Sequence, residues 1–316
     1  MSEADVVCYS EEIGLAADLV RIARALPAEM APKVHAVLLP GAAADADDRL
    51  GAAGAHAVHR VAGTESADPH VVAGLLRGVV AALEPSLLLF GSTKRGREVA
   101  GRLAGLLDLP ALTGVTGLRV TAEGVRAERE TLSGNAVAVE RFARRPALVA
   151  VLPGTTAAAA LPVTAVERRE HTAAPPKALS ERIEVRPKAG GQLEIEKADR
   201  IVTIGRGLKK KEDLALIEAL ARSLGAEVGC TRPLAAEAGW LSDDHWIGLT
   251  GHRVHPKLYV AVGVSGAVQH LVGMRTSKVV VAVNKDANAP IFAQADYRIV
   301  GDLYQIVPAL TKALAG

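Results

Sequence analysis

Two hydrophobic periods alternate along the first half of the chain. Short runs dominated by apolar residues occur at 6–9, 34–39 and 86–90. Between and after them, residues 15–26, 71–83 and 98–107 carry apolar positions at helical spacing. Strands alternating with amphipathic helices predict parallel βαβ units. The loop at 91–97, GSTKRGR, follows the third run. Residues 112–152 change character and predict strands at 117–120, 125–132, 136–142 and 147–152.

The pattern breaks between Thr164 and Gly191. This stretch holds charged residues, Pro175, Pro176, Pro187, Gly190 and Gly191, with little long apolar periodicity. Its end predicts a connecting segment and a boundary, giving domains at 1–187 and 188–316.

The second domain reads more cleanly. A strand at 200–204 ends in the turn Gly205-Arg206-Gly207, and a helix follows with Leu214, Ile217, Ala221 and Leu224 on one face. Further strands are predicted at 226–229, 258–264, 278–283 and 297–300. The runs LYVAVGV and KVVVAV do not alternate, as expected of strands covered on both faces. The fold class is therefore α/β with two domains. The first is an α/β domain of the nucleotide-hydrolase-like kind. The second is a Rossmann-like, doubly wound parallel sheet.

Composition narrows the function. Lys and Arg total 37 against 35 for Asp and Glu, so net charge gives no pull toward nucleic acid or an anionic membrane. Aromatic residues make up 3 %, too few for a base-stacking surface. Cys8 and Cys230 lack paired spacing, which points to a reducing, cytoplasmic setting. No run of 18 uncharged apolar residues is present, so no membrane insertion is expected.

In open parallel sheets, ligands sit beyond the carboxyl ends of the strands. Each strand tip of the second domain is polar or glycine-rich: Gly205-Arg206-Gly207, Cys230-Thr231-Arg232, Ser265 to His270, Asn284-Lys285-Asp286 and Gly301-Asp302. A further segment, Ile247-Gly248-Leu249-Thr250-Gly251-His252, lies between strands. Six such segments on one sheet edge make a nucleotide cleft. Singly each is weak. Lys210 stands where a dinucleotide fingerprint needs its third glycine, so Gly205-Arg206-Gly207 alone is a tight turn. Arg206 is still suited to a phosphate, with the next helix aimed the same way. Lys209, Lys210 and Lys211 read as a solvated charged face.

Ser265 is either a helix cap or part of a ligand loop in which Gly266 and Ala267 permit close approach. Ala267 breaks the G-x-S-x-G pattern, which argues against serine hydrolysis. His252 and His255 are expected at the surface rather than on a metal. Asp243 and Asp244 after Ser242 suggest local capping, and Cys230 a plain buried thiol.

Residues 258–303, LYVAVGVSGAVQHLVGMRTSKVVVAVNKDANAPIFAQADYRIVGDL, closely resemble the alpha subunit of electron transfer flavoproteins. SGAVQH, Gly273 and VAVNKD form a long ordered pattern. The likeness extends upstream through GRGLK, the Thr231–Arg232 pair and GLTG, over residues 200–310. The first half agrees more loosely, in architecture and in GSTKRGRE.

The resemblance implies an FAD in the second domain and roles for matching residues. Arg206 meets the FAD, and Arg232, beside Thr231, lies against the flavin ring. Thr231 stands where the family more often has serine. Ile247, Gly248, Leu249 and Thr250 pass close to the ring, with Thr250 near N5; Leu249 replaces a glutamine common in the family. Ser265, Gly266, Ala267, Val268, Gln269 and His270 wrap the cofactor, with His270 toward the N1/C2 side, where a hydrogen-bonding or positive group favours negative charge. Asn284 and Asp302 anchor the adenosine half, with Leu303 beside them.

The resemblance also implies a heterodimer with a beta subunit, for which the first domain builds the base. Flavin dehydrogenases such as acyl-CoA dehydrogenases are the implied donors, tying the chain to fatty acid beta-oxidation. A quinone oxidoreductase or another acceptor takes the electrons, and the chain is a carrier rather than an enzyme. Two competing readings remain at this point. An NAD-dependent enzyme needs a third glycine and a downstream acid. A colourless nucleotide-binding module would hold phosphate at residues 93–97.

Overall fold

A computed structural model of the chain describes residues 5–314 apart from 28–31, 64, 67, 122–123, 133, 135, 143–145, 156–165, 173 and 186–192. Contacts divide the chain into two compact units, Met1–Thr131 with Val137–Arg186, and Leu132–Ala136 with Pro187–Gly316. The expected boundary at 187/188 lies outside the described residues, as do Thr164, Pro187, Gly190 and Gly191.

The first unit begins β1 (Val6–Tyr9), α1 (Ile13–Arg24), β2 (Val34–Leu38), α2 (Ala46–Ala53), β3 (Ala57–Ala62), α3 (Pro69–Leu83), β4 (Leu87–Gly91) and α4 (Lys94–Leu107). It continues with β5 (Ala111–Thr121), β6 (Gly124–Thr131), β7 (Ala136–Arg141), β8 (Ala147–Val151) and β9 (Glu167–Thr172). They form one sheet in the order β7-β6-β5-β8-β4-β1-β2-β3-β9. From β5 through β8 to β9 neighbouring strands are parallel, while β5 and β6 pair antiparallel.

Strands β1, β2, β4 and β8 are buried at every position, because helices cover both faces. Val6 and Cys8 pack with α1 and α2, whereas Val7 and Tyr9 pack with α3 and α4. Helix α4 starts a turn earlier than its apolar spacing predicts. Thr93 Oγ1 accepts from the Gly96 N–H at 2.8 Å and caps it, a contact of about 1 kcal/mol.

Elements α2, β3 and β9 were not expected, and β9 corrects the expectation that residues 164–191 only connect. It adds a parallel edge strand to β3. The apolar pattern misses this strand because its residues, ERREHT, are charged or polar and mostly exposed, and histidines link it to the neighbouring strands. His35 Nδ1 lies 2.8 Å from His59 Nε2, and His59 Nδ1 lies 2.6 Å from His171 Nε2.

The second unit comprises β10 (Arg200–Ile204), α5 (Leu214–Leu224), β11 (Glu227–Cys230), β12 (Leu258–Val262), α6 (Val268–Met274), β13 (Val280–Asn284), β14 (Tyr297–Val300) and α7 (Leu303–Leu314). All neighbours are parallel in the order β11-β10-β12-β13-β14. Helices α5 and α7 pack one face, while α6, Ile247, Val254 and Ile291 pack the other. This is the expected doubly wound sheet. The chain runs outward from β10 to β11 and then returns to β12, so the winding reverses between β10 and β12. A crevice opens beyond the strand ends at such a reversal.

Candidate functional site

A cavity of about 730 Å³ lies at that reversal, within the range of roughly 300–1,000 Å³ common to cofactor sites. The tips of β10 and β12 meet backbone to backbone beside it. The Gly207 N–H donates to the Gly263 carbonyl at 3.0 Å, and a Cβ on Gly207 would lie 2.7 Å from Gly263 Cα. Only glycine permits that approach. The turn Gly205-Arg206-Gly207 therefore leaves room for a ligand instead of filling it with side chains.

Fourteen of the sixteen expected site residues line this cavity: Arg206, Thr231, Arg232, Ile247, Gly248, Leu249, Thr250, Ser265, Ala267, Gln269, His270, Asn284, Asp302 and Leu303. Gly266 and Val268 do not. Gly266 has φ +87°, and its Cβ would lie 2.2 Å from the Ile291 backbone nitrogen. Its Cβ direction thus faces the protein's own Pro290–Gln294 turn, which any side chain at this position would strike. Val268 opens α6. Ser265 does not cap α6, whose N-cap is Ala267; its carbonyl instead accepts the Ile291 N–H.

Other lining residues escaped the sequence. Lys209, Lys210 and Lys211 are exposed, the solvated face expected of them, and Lys209 also lines the cavity. The Lys209 backbone N–H donates to Tyr304 Oη at 2.8 Å, and its Nζ lies 5.2 Å from the Tyr304 ring centre. Tyr304 Oη in turn donates to Asp213 Oδ2 at 2.5 Å. Trp246 also lines the cavity, with the Arg232 guanidinium 5.5 Å from its ring centre, a cation–π distance. The three-residue helical turn Lys211–Asp213 separates Gly207 from α5, so the α5 N-terminus does not directly follow the glycine turn as expected.

The charge of the cavity suits an anion. Arg206, Lys209, Arg232 and Lys285 line it against one carboxylate, Asp302. Among the described residues, exposed Arg206 has no hydrogen-bond or ion-pair partner. Asp302 caps α7, with its Oδ1 accepting the Tyr304 N–H at 3.0 Å. Asn284 is tied into the protein, donating from Nδ2 to the Val264 carbonyl at 2.8 Å and accepting the Asp286 N–H at 3.0 Å.

His270 is buried. Burial pushes its imidazole down to about 4, against a smaller upward effect of the Ile247 carbonyl. That direction favours the hydrogen-bonding, uncharged alternative at this position over the positive one. Cys230 is buried, and burial pushes its thiol up to about 12, the inert thiol expected. Among the described residues, no group of three or more His, Cys, Asp or Glu could hold a metal. No described helix is long and apolar enough to cross a membrane.

The rival phosphate site at residues 93–97 is committed internally. Thr93 Oγ1 caps α4 and donates to the Glu11 carboxylate. Arg95 Nη2 donates to the Ser66 carbonyl at 2.6 Å, and Arg97 Nη1 to the Ser92 carbonyl at 3.1 Å. A carboxylate at the helix N-terminus competes there with any phosphate.

Comparison with known proteins gives concordant matches in both halves. A family model described as the electron transfer flavoprotein FAD-binding domain matches residues 194–275. One described as the electron transfer flavoprotein domain matches residues 15–187. An electron transfer flavoprotein subunit, YdiR, of Escherichia coli (strain K12) is 36 % identical over 236 residues, 73 % of this chain and 74 % of that protein. Protein FixB of Escherichia coli O1:K1 / APEC is 36 % identical over 232 residues, 72 % of this chain and 74 % of its own.

Proposed function

The chain belongs to the electron transfer flavoprotein family as an alpha-type subunit with an FAD-binding domain, and from that footing we propose that it carries electrons between proteins as a heterodimer with a beta subunit. Its donors are flavin dehydrogenases such as acyl-CoA dehydrogenases, and its acceptor is a quinone reductase or another redox protein. The observation that carries the reading is the basic cavity at the β10/β12 reversal, where fourteen expected residues converge.

That cavity fits the cofactor on its own chemistry. A dinucleotide needs length, a compact backbone beside its diphosphate and positive charge. The cavity volume supplies the first, the Gly207–Gly263 approach the second, and Arg206, without a partner among the described residues, the third. Arg206 is the residue assigned to the diphosphate, where a guanidinium offers paired donors. Asp302, at a strand tip, offers a carboxylate to a ribose hydroxyl. Ile247 to Thr250, with Arg232, frames the ring end.

FAD supplies the electron-accepting and electron-donating chemistry when bound. The protein's own share is to hold the cofactor, orient it and control charge around it. A domain with this task needs no nucleophile or metal.

The test is anaerobic. The chain is purified with its beta subunit, loaded with FAD and mixed with substrate-reduced acyl-CoA dehydrogenase. Bleaching of the carrier's flavin band at a rate that saturates with dehydrogenase supports the donor assignment. An unchanged band over minutes contradicts it.

A further inference from the structure

Tyr259 and His270 form a buried pair at the wall of the cavity. Tyr259 Oη lies 2.9 Å from His270 Nε2, and His270 Nδ1 lies 3.0 Å from the Ile247 carbonyl oxygen. A carbonyl only accepts, so Nδ1 carries the ring proton. In a neutral imidazole Nε2 is then a bare acceptor, and the Tyr259 hydroxyl donates to it. Both ring nitrogens are thereby engaged by the protein. His270 still lines the cavity, so it offers the ligand a carbon edge or ring face without a free donor.

Three elements fix this arrangement. Tyr259 sits in β12, His270 in α6, and Ile247 in the segment that runs between β11 and β12. Tyr259 is fully buried and His270 is 6 % exposed. Burial, then the Ile247 carbonyl, act on His270; burial, then the Thr203 hydroxyl and Cys230, whose thiol burial keeps protonated, act on Tyr259. A hydrogen bond donated to the neutral ring opposes its protonation.

We propose that Tyr259 is a positioning residue that locks His270 as the neutral Nδ1–H tautomer, so that the flavin in this cavity meets an uncharged imidazole throughout the working pH range. The proposal rests on the cavity being the flavin site. It changes the meaning of a histidine beside a flavin. An imidazolium would stabilise negative charge on the reduced ring and raise its reduction potential. Burial withholds that charge, and the Tyr259 hydroxyl, bonded to Nε2 of the neutral ring, opposes its return. The potential is then set by neutral dipoles and by the arginines at the rim, and His270 adds no proton-linked contribution.

Removing the hydroxyl unmasks Nε2. In Tyr259→Phe the ring packing stays and the donor goes. His270 then loses the bond that favours its neutral form, so its protonation is expected at higher pH than in wild type.

The experiment uses the FAD-loaded heterodimer, wild type and Tyr259→Phe. Nitrogen NMR of ¹⁵N-histidine reads the tautomer and titration of His270, and a redox titration reads the flavin midpoint from pH 5.5 to 8. The expected result is a wild-type His270 that stays Nδ1–H neutral down to pH 5. In Tyr259→Phe it titrates above pH 5, and the flavin midpoint rises above wild type increasingly as pH falls. The double variant Tyr259→Phe/His270→Gln loses that extra pH dependence. Wild-type NMR needs no variant to fold, and a charged or Nε2–H His270 there at pH 7 overturns the proposal.

A variant His270 that titrates as wild type also overturns it. If the tautomer changes but the flavin midpoint does not, the lock exists without acting on the flavin, and the functional claim fails. A wild-type complex that takes up no FAD fails the proposed function itself, which the NMR arm distinguishes because it reads the pair without cofactor.

Discussion

The Gly207 N–H donates to the Gly263 carbonyl at 3.0 Å, joining the tips of β10 and β12 where the sheet reverses its winding. Gly263 adopts φ +60°, and a Cβ there would lie 2.9 Å from Gly207 Cα and 3.1 Å from Leu303 Cδ2. Gly263→Ala is expected to destabilise the second unit by about 1–3 kcal/mol through left-handed strain and contact. It should also lower FAD content, because it separates the two tips beside the cofactor. Urea unfolding together with the flavin-to-protein absorbance ratio measures both. Wild-type stability and full flavin would contradict the close-packing role.

Arg206 stands at the cavity rim without a protein partner among the described residues. Arg206→Ala should therefore leave folding nearly unchanged and weaken FAD retention by about tenfold or more, the scale of one charge-assisted contact. Arg206→Lys should recover part of the loss, since it restores charge but not paired donors. Flavin remaining after dialysis gives the comparison. Equal retention in all three proteins removes Arg206 from the diphosphate.

The first unit should lose stability on mild acidification through its histidine chain. Asp5 Oδ2 accepts from His35 Nε2 at 3.2 Å, which leaves His35 Nδ1 to accept from His59 and His59 Nδ1 to accept from His171. Burial holds His59 down to about 3, reinforced by His35, His171 and Arg169 and opposed by Glu167. Burial also lowers His35, against the pull of Asp5 and with smaller downward effects from Arg169 and Lys33.

A folded value below the ordinary 6.5 means the unfolded chain binds more protons between these limits, so stability falls as pH drops from about 6.5 toward 3. The urea midpoint should be highest above pH 7 and decline toward pH 5. In His59→Gln it should start lower and decline less. A wild-type midpoint that rises on acidification would contradict the neutral chain.

Cys8 and Cys230 are both free and buried, and burial raises both thiols, Cys230 to about 12. Alkylation follows the thiolate and its exposure. Native protein at pH 8 should take up almost no iodoacetamide over an hour, and urea-unfolded protein two equivalents. Mass spectrometry counts them. Rapid labelling of native Cys230 would show that the β11 tip opens.

The sequence carried the parts of the fold that burial dictates. Strands β1, β4, β10 and β12 lie under helices on both faces, and a continuous apolar run is the direct mark of that. The same logic hid β9, an edge strand of charged and polar residues whose His171 bonds His59 of β3. At the site, strand tips were legible because the sheet reversal puts them on one edge. Lys209 was not. It reaches the cavity because Tyr304, 95 residues onward, holds its backbone N–H. Gly266 was legible as a place of close approach, but what approaches it is Ile291, and no local spacing reveals that partner.

The most direct test of the account is the flavin content of the chain purified with its beta subunit. An absorption spectrum with flavin bands, one FAD extracted per cavity and loss of most of it in Arg206→Ala are the predicted results. A folded, colourless complex that takes up no added FAD would contradict the assignment of the β10/β12 cavity.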